Sequence, residues 1–197
     1  MRLWTIQTTD VYNMIQKNGV YHCNEKLSFA NDSDNVTNAY SWMAEQMREK
    51  IGSAPEGVKF PVWAWHTWEF KHKRPDLRCR SFHVWKPSVM MEIEVPDSRV
   101  LLSDEDKWYA VLNNGYLDNA IDLQTFEKDW DEFESLAPAE QEKIKIESWH
   151  RIFNIEPFKN EFACQGEWIQ ATFWELRKED IVKAWPIKAR KSRLQCI

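Results

Sequence analysis

The sequence predicts an α+β fold, a β-rich body into which a block of helices is set. Three observations carry this. The chain opens strand, helix, glycine in LWTIQTTDVYNMIQKNGV; extended apolar stretches recur at 60–66, 88–95 and 167–176; and from 104 to about 154 the pattern turns acidic and helical.

Met1 to Thr8 is short and β-rich, with Leu3, Trp4 and Ile6. Thr8 and Thr9 offer N-caps for a helix from Asp10 to Asn18, on which Val11, Met14 and Ile15 share one face before Gly19 stops it. The polar run from His22 to Val36 reads as a loop. Tyr40, Met43, Met47 and Ile51 then mark a helix from Asn38 to Ile51, with Glu45, Arg48, Glu49 and Lys50 on its other side. Gly52 ends it, and a strand follows from Phe60 to His66. Ser81 to Trp85, Ser88 to Val95 and Arg99 to Leu102 read as extended, with a turn at Pro96-Asp97-Ser98.

Ser103 and Asp106 form an imperfect capping box at the entry to the helical block. Leu123, Phe126, Trp130 and Phe133 lie on one amphipathic helix. Pro138 suits the first turn of another, from which Ile144, Trp149, Ile152 and Phe153 point inward. No flexible linker flanks this block, so it reads as an insertion, about 104–154, within a single α+β domain spanning 1–197. Extended structure returns from Glu167 to Leu176, where Ile169, Ala171 and Phe173 alternate with Trp168, Gln170, Thr172 and Trp174. After a turn at Lys178 to Ile181 come a last strand, Val182 to Ile187, and a basic tail from about 188 to 197.

With 197 residues, 43% of them hydrophobic and 14% aromatic, the chain can bury one sizeable core, which argues against disorder. Its formal net charge of -5 argues against a general nucleic-acid coat and leaves room for a local basic site. Cys23, Cys79, Cys164 and Cys196 make no CxxC or Cys/His ligand pair, so neither a metal site nor a disulfide framework is indicated. There is no apolar signal-like N-terminus and no run long enough to span a bilayer, which predicts a soluble, cytoplasmic protein without membrane partners. P-loop, GxGxxG, GxSxG and HExxH patterns are missing. Five glycines are too few for a glycine-built phosphate loop, so an anion would be held by Arg side chains and helix N-termini.

The stretch with most chemistry is Pro61 to Arg78, PVWAWHTWEFKHKRPDLR, where Trp63, Trp65, His66 and Trp68 run into Lys71, His72, Lys73, Arg74, Arg78 and Arg80, with Asp76 the only acid in that basic run. Indole rings beside a cationic loop suit a partner that is flat and anionic, such as a nucleotide. The same residues read equally well as core tryptophans with a solvated charged rim. His66 and His72 can approach each other if the loop folds back. Glu92 and Glu94 share one face of a strand, which is the ordinary pattern of a wet face. Gln170 is more unusual, an amide midway along an aromatic strand.

LWTIQTTDVYNMIQKNGV resembles the first strand, helix and glycine of the ADP-ribosyltransferase fold, and WIQATFWELRKEDIVKAWPI resembles its last segment, in which a strand carries the catalytic Glu. MMEIEVPDSRVLL looks like its middle sheet edge. The resemblance implies a split β-sheet with flanking helices and an NAD pocket, the first and last strands lying side by side so that Thr5 and Gln170 look into one cavity. Thr5 and Gln7 stand where the family holds the nicotinamide ribose, and Gln170 stands near its catalytic Glu, with Glu167 or Glu175 as substitutes if the alignment shifts. LWTIQ, PVWAW, RPDLR and IQATFW together also look like an uncharacterised family of bacterial cytosolic proteins, a likeness that covers nearly the whole chain.

The expectation is therefore an ADP-ribosyltransferase-like protein that binds NAD and transfers ADP-ribose to a nucleic acid or protein. Thr5, Gln7 and Gln170 would serve at the reacting end. Trp4, Trp63 or Trp65 would stack the rings, Arg74, Arg78 or Arg80 would hold the pyrophosphate, and His66 would also contact the cofactor. Two alternatives stand beside it: a non-enzymatic module for nucleic acid or a modified nucleotide, and a protein-interaction domain that uses the acidic helices.

Overall fold

An antiparallel sheet of six strands organises the chain, in the spatial order β10-β4-β1-β3-β8-β5. The computed structural model describes residues 1–23, 33–79 and 84–189. In chain order the elements are β1 (Arg2–Thr8), α1 (Thr9–Asn18), β2 (Val20–His22), α2 (Asp34–Ile51), β3 (Val62–Trp68), β4 (Ser88–Glu94) and β5 (Leu101–Asp104). The helical block follows as α3 (Glu105–Leu112), α4 (Leu123–Ser135) and α5 (Pro138–Ser148). Then come β6 (Phe158–Lys159), β7 (Cys164–Gln165), β8 (Trp168–Phe173), β9 (Glu175–Arg177) and β10 (Ile181–Ile187). β2 pairs with β9 and β6 with β7 in two small ribbons.

Local chemistry sets the element ends. The Thr8 hydroxyl accepts from the Val11 N–H to cap α1, and Gly19 closes that helix at a φ of 83°. α2 begins a turn earlier than its apolar stripe suggests, because Ser33 accepts from the Val36 N–H and nucleates the helix inside the polar run. At α3 the cap is Asp104, not Ser103, and its carboxylate accepts from the Lys107 N–H. Pro138 occupies the first turn of α5.

The sheet has a core on each face. Leu3, Val62, Ala64, Met91, Ile93, Ala171 and Phe173 meet α1 through Ile15 on one side. On the other, Leu101 and Trp174 join Trp42, Met43 and Met47 of α2, Trp108 and Val111 of α3, and Trp149 and Ile152 after α5. The helical block thus closes over the sheet through α3 and the 3-10 turn Trp149–Phe153, whereas α4 has no buried residue.

Three expectations change. β4 lies inside the sheet between β10 and β1, and β5 is the edge. The first and late strands are not side by side, since β3 stands between β1 and β8. Val84 and Trp85 are not in a strand, and the rest of the expected Ser81 to Trp85 strand falls outside the described residues, as do Arg80 and the tail from 190.

One seam positions the site. β1 and β4 pair along all seven residues of β1, but β1 and β3 pair only at Trp4 and Trp65. Past that point the Thr5 hydroxyl donates to the Trp63 carbonyl at 2.8 Å, a side-chain link across the parting strands.

Candidate functional site

Where β1 and β3 part, a cavity of about 500 Å³ opens. Thr5 and Gln7 line it from β1, Trp63 and Trp65 from β3, and Gln170 from β8. Alternation places Thr5 and Gln7 with Leu3 on the α1 face, and Trp63, Trp65 and Gln170 on the other. An opening at the seam brings both sets to one space. The opposite wall is α3, which contributes Glu105, Trp108, Tyr109 and Leu112, with Tyr40 of α2 and Tyr21 and Cys23 at the end of β2.

Packing holds the walls firmly. Tyr40 meets Trp63 and Trp108 edge-on at 5.9 and 5.7 Å between ring centroids, and Trp63 meets Trp108 at 5.2 Å. The polar groups are less fully matched. The Gln7 amide donates to the Thr5 hydroxyl at 3.0 Å. Trp63 Nε1 is buried without a hydrogen-bond partner among the described residues. Gln170, paired with Trp65 and Ser103 on its flanking strands, makes no side-chain hydrogen bond to a described residue. An orphan indole N–H and a free amide beside a cavity are groups a ligand can satisfy.

Glu105 is the only charged side chain among the described residues that line the cavity. Burial, with Asp106 and then Asp104 beside it, pushes its carboxyl up to about 7, while a hydrogen bond with Tyr109 works the other way. Glu105 in turn raises the Tyr109 hydroxyl. A carboxyl poised near neutrality is suited to exchange a proton or to face a cation.

The structure separates the other expected site residues from this cavity. Trp4 is buried on another part of the sheet, edge-on to His72 at 5.4 Å. The basic loop does fold back, so that His66 stacks on His72 at 4.3 Å and His72 Nε2–H donates to the Arg2 carbonyl at 2.7 Å. Burial, with the neighbouring His72, lowers the His66 imidazole to about 4. Arg74 lies over the Trp185 ring, and Arg78 is exposed and paired with Asp76 at 2.6 Å. Neither lines the cavity. Glu92 sits against Arg2. The substitute carboxylates are engaged elsewhere, Glu167 with Lys159 and Cys164, and Glu175 with His22, Arg99 and Arg177.

Sequence reasoning missed α3 as a wall. Its signal is legible, because Glu105, Trp108, Tyr109 and Leu112 fall at i, i+3, i+4 and i+7, and an acid on the apolar stripe of a helix marks a carboxyl carried inward.

Residues 2–182, nearly the whole chain, match one protein family. The chain belongs to the DUF3841 family. That family is described as a domain of unknown function, which agrees with the likeness to an uncharacterised family and assigns no chemistry to the cavity. No curated protein and no solved structure matches the chain. Among the described residues no group of three or more His, Cys, Asp or Glu side chains is placed to hold a metal ion, and no helix is long and apolar enough to cross a membrane.

Proposed function

We propose that the protein binds NAD, or a nucleotide close to it, by its heteroaromatic ring, taken into the cavity at the β1–β3 seam. The observation that supports the reading is the meeting of Thr5, Gln7, Trp63, Trp65 and Gln170 around one space of about 500 Å³. That size is typical of ligand sites and accommodates a ring and its ribose. Aromatic walls stack a planar ring, at roughly 1 to 3 kcal/mol per base. The Gln7 and Gln170 amides and the Trp63 N–H supply hydrogen bonds to a carboxamide or a ribose hydroxyl. No Lys or Arg among the described residues lines the cavity, so the phosphates extend out of it.

The enzymatic form of the proposal is ADP-ribosyl transfer to a macromolecule. The bond from ribose C1′ to nicotinamide breaks with its electron pair leaving on the ring, and an acceptor nucleophile bonds to C1′ and loses a proton. An amide at Gln170 can orient the ribose but cannot offset the positive charge that develops at C1′. Glu105 is the carboxylate the cavity offers for that role or for taking the acceptor's proton.

Titration calorimetry with NAD tests binding, and release of nicotinamide from labelled NAD tests transfer. Trp65→Ala and Gln170→Ala are expected to weaken binding at least about tenfold, consistent with loss of one stacking ring or one hydrogen-bonding amide. Arg78→Ala should leave it unchanged. Absence of heat at millimolar NAD ends the binding proposal, and heat without nicotinamide release ends the enzymatic form alone.

A further inference from the structure

Six aromatic side chains, Tyr21, Tyr40, Trp63, Trp65, Trp108 and Tyr109, share the cavity with a single carboxyl group and no cationic side chain among the described residues. Aromatic faces carry negative potential, and a carboxylate among them adds a counter-charge. An anionic ligand would find no counter-charge among these side chains. A neutral ring would gain stacking and leave the carboxyl uncompensated.

We propose that the cavity selects a flat heteroaromatic cation of the N-alkylated pyridinium type, with Glu105 as its counter-ion. This rests on the reading that the cavity takes a planar ring, and it adds the charge of that ring and the residue that reads it. For NAD it implies recognition of the oxidised, pyridinium form over the reduced, neutral one.

The electrostatic surroundings agree. Burial, with Asp106 and then Asp104 flanking it, holds the Glu105 carboxyl at about 7. Among the described residues the other titratable groups on the cavity wall are Tyr21 and Cys23 from the end of β2, Tyr40 from α2, and Tyr109 from α3, whose hydroxyl Glu105 raises. Glu105 is the carboxyl that the described residues bring to a bound cation, and the cation's arrival ionises it fully. At about pH 7 this releases about half a proton per ligand.

The experiment compares two probes of the same shape, 1-methylnicotinamide and 3-methylbenzamide, which differ in a ring N⁺ for a ring carbon. At about pH 8 the cation is expected to bind the wild-type chain at least about tenfold more tightly. That preference should fall to about twofold or less in Glu105→Gln and should shrink in the wild type as the pH is lowered to about 6, where the carboxyl is protonated. A second readout needs no variant: the calorimetric heat at about pH 7 should depend on the buffer's ionisation enthalpy for the cation and not for the neutral probe. Equal affinity for the two probes, or a preference that survives Glu105→Gln, overturns the inference while leaving ring binding intact. Failure of both probes and of NAD to bind overturns the inference together with the reading beneath it.

Discussion

Replacing Glu105 by Gln should stabilise the protein at mildly alkaline pH, and the size of the effect follows from its surroundings. The carboxyl stands at about 7 in the folded chain against 4.5 for an ordinary glutamate, chiefly because burial disfavours its charged form. An acid whose folded-state pKa is raised holds its proton more tightly when folded. Stability is then fully present below about pH 4.5 and is lost as the pH rises through about 7. Taken whole, the gap corresponds to about 3 to 4 kcal/mol above that range, and because Glu105 is only partly buried, solvent screening cuts this to about 1 to 2 kcal/mol. Glu105→Gln keeps the shape and an oxygen that can accept from Tyr109, but it cannot ionise. The variant should match the wild type within about 0.5 kcal/mol at the acid end, near pH 4, and exceed it by about 1 to 2 kcal/mol near pH 8. Urea unfolding of both proteins at several pH values between those limits measures the difference, in which the remaining titrating groups largely cancel. A difference that stays flat across the range, or a variant that is less stable near pH 8, would refute the claim that Glu105 is a half-buried carboxyl held near neutrality.

Three further outcomes test the scaffold. Asp104→Ala removes the α3 cap and also the acceptor for the Gly166 N–H at 2.7 Å, and since Asp104 is 2% exposed this should cost about 2 to 4 kcal/mol, read by urea unfolding. Gly166→Ala places a Cβ 2.8 Å from the Ile155 carbonyl oxygen at a φ of 76°, so a loss of more than about 1 kcal/mol is expected, seen as a lower Tm. Proton NMR of the imidazoles should find His66 titrating near 4. Because that value is lowered, the unfolded chain binds the proton first, and this residue's contribution to stability is lost as the pH falls from about 6.5 through 4.

Much of the fold was legible because its signals are local. The opening strand, capped helix and glycine lie where Thr8 and Gly19 put them, and the alternation of Ile169, Ala171 and Phe173 against Gln170 and Thr172 matches their two faces. What local signals do not carry is strand order. Nothing in the first or the late strand states that β3 will come between them, because order is decided by which faces bury together, and both could pair with an aromatic strand. The α2 start was missed because Ser33 caps within a polar run that lacks apolar periodicity. The Asp104 cap was missed because three successive acids offer several equivalent candidates.

The expected nucleotide site divides along the same line. Thr5, Gln7, Trp63, Trp65 and Gln170 converge because strand alternation and the parting of β1 from β3 act on all of them together. The arginines were assigned by nearness in sequence to Trp63 and Trp65, and nearness fails at the turn after β3. Glu69 and Phe70 adopt left-handed backbone there, at φ of 52° and 59°, and the loop beyond them folds back toward Arg2 and Trp185. Basic and aromatic residues that are neighbours in the chain are thus divided between that loop and the cavity. This division changes the chemistry of the site. With Arg74 and Arg78 attached to the site, it would attract a phosphate. Without them, the one formal charge its described residues bring is that of Glu105, and a phosphate gains nothing by entering. For the nucleotide proposed above, the electrostatics favour the ring over the backbone as the recognised part, and they make the charge on that ring the variable to which affinity should respond most.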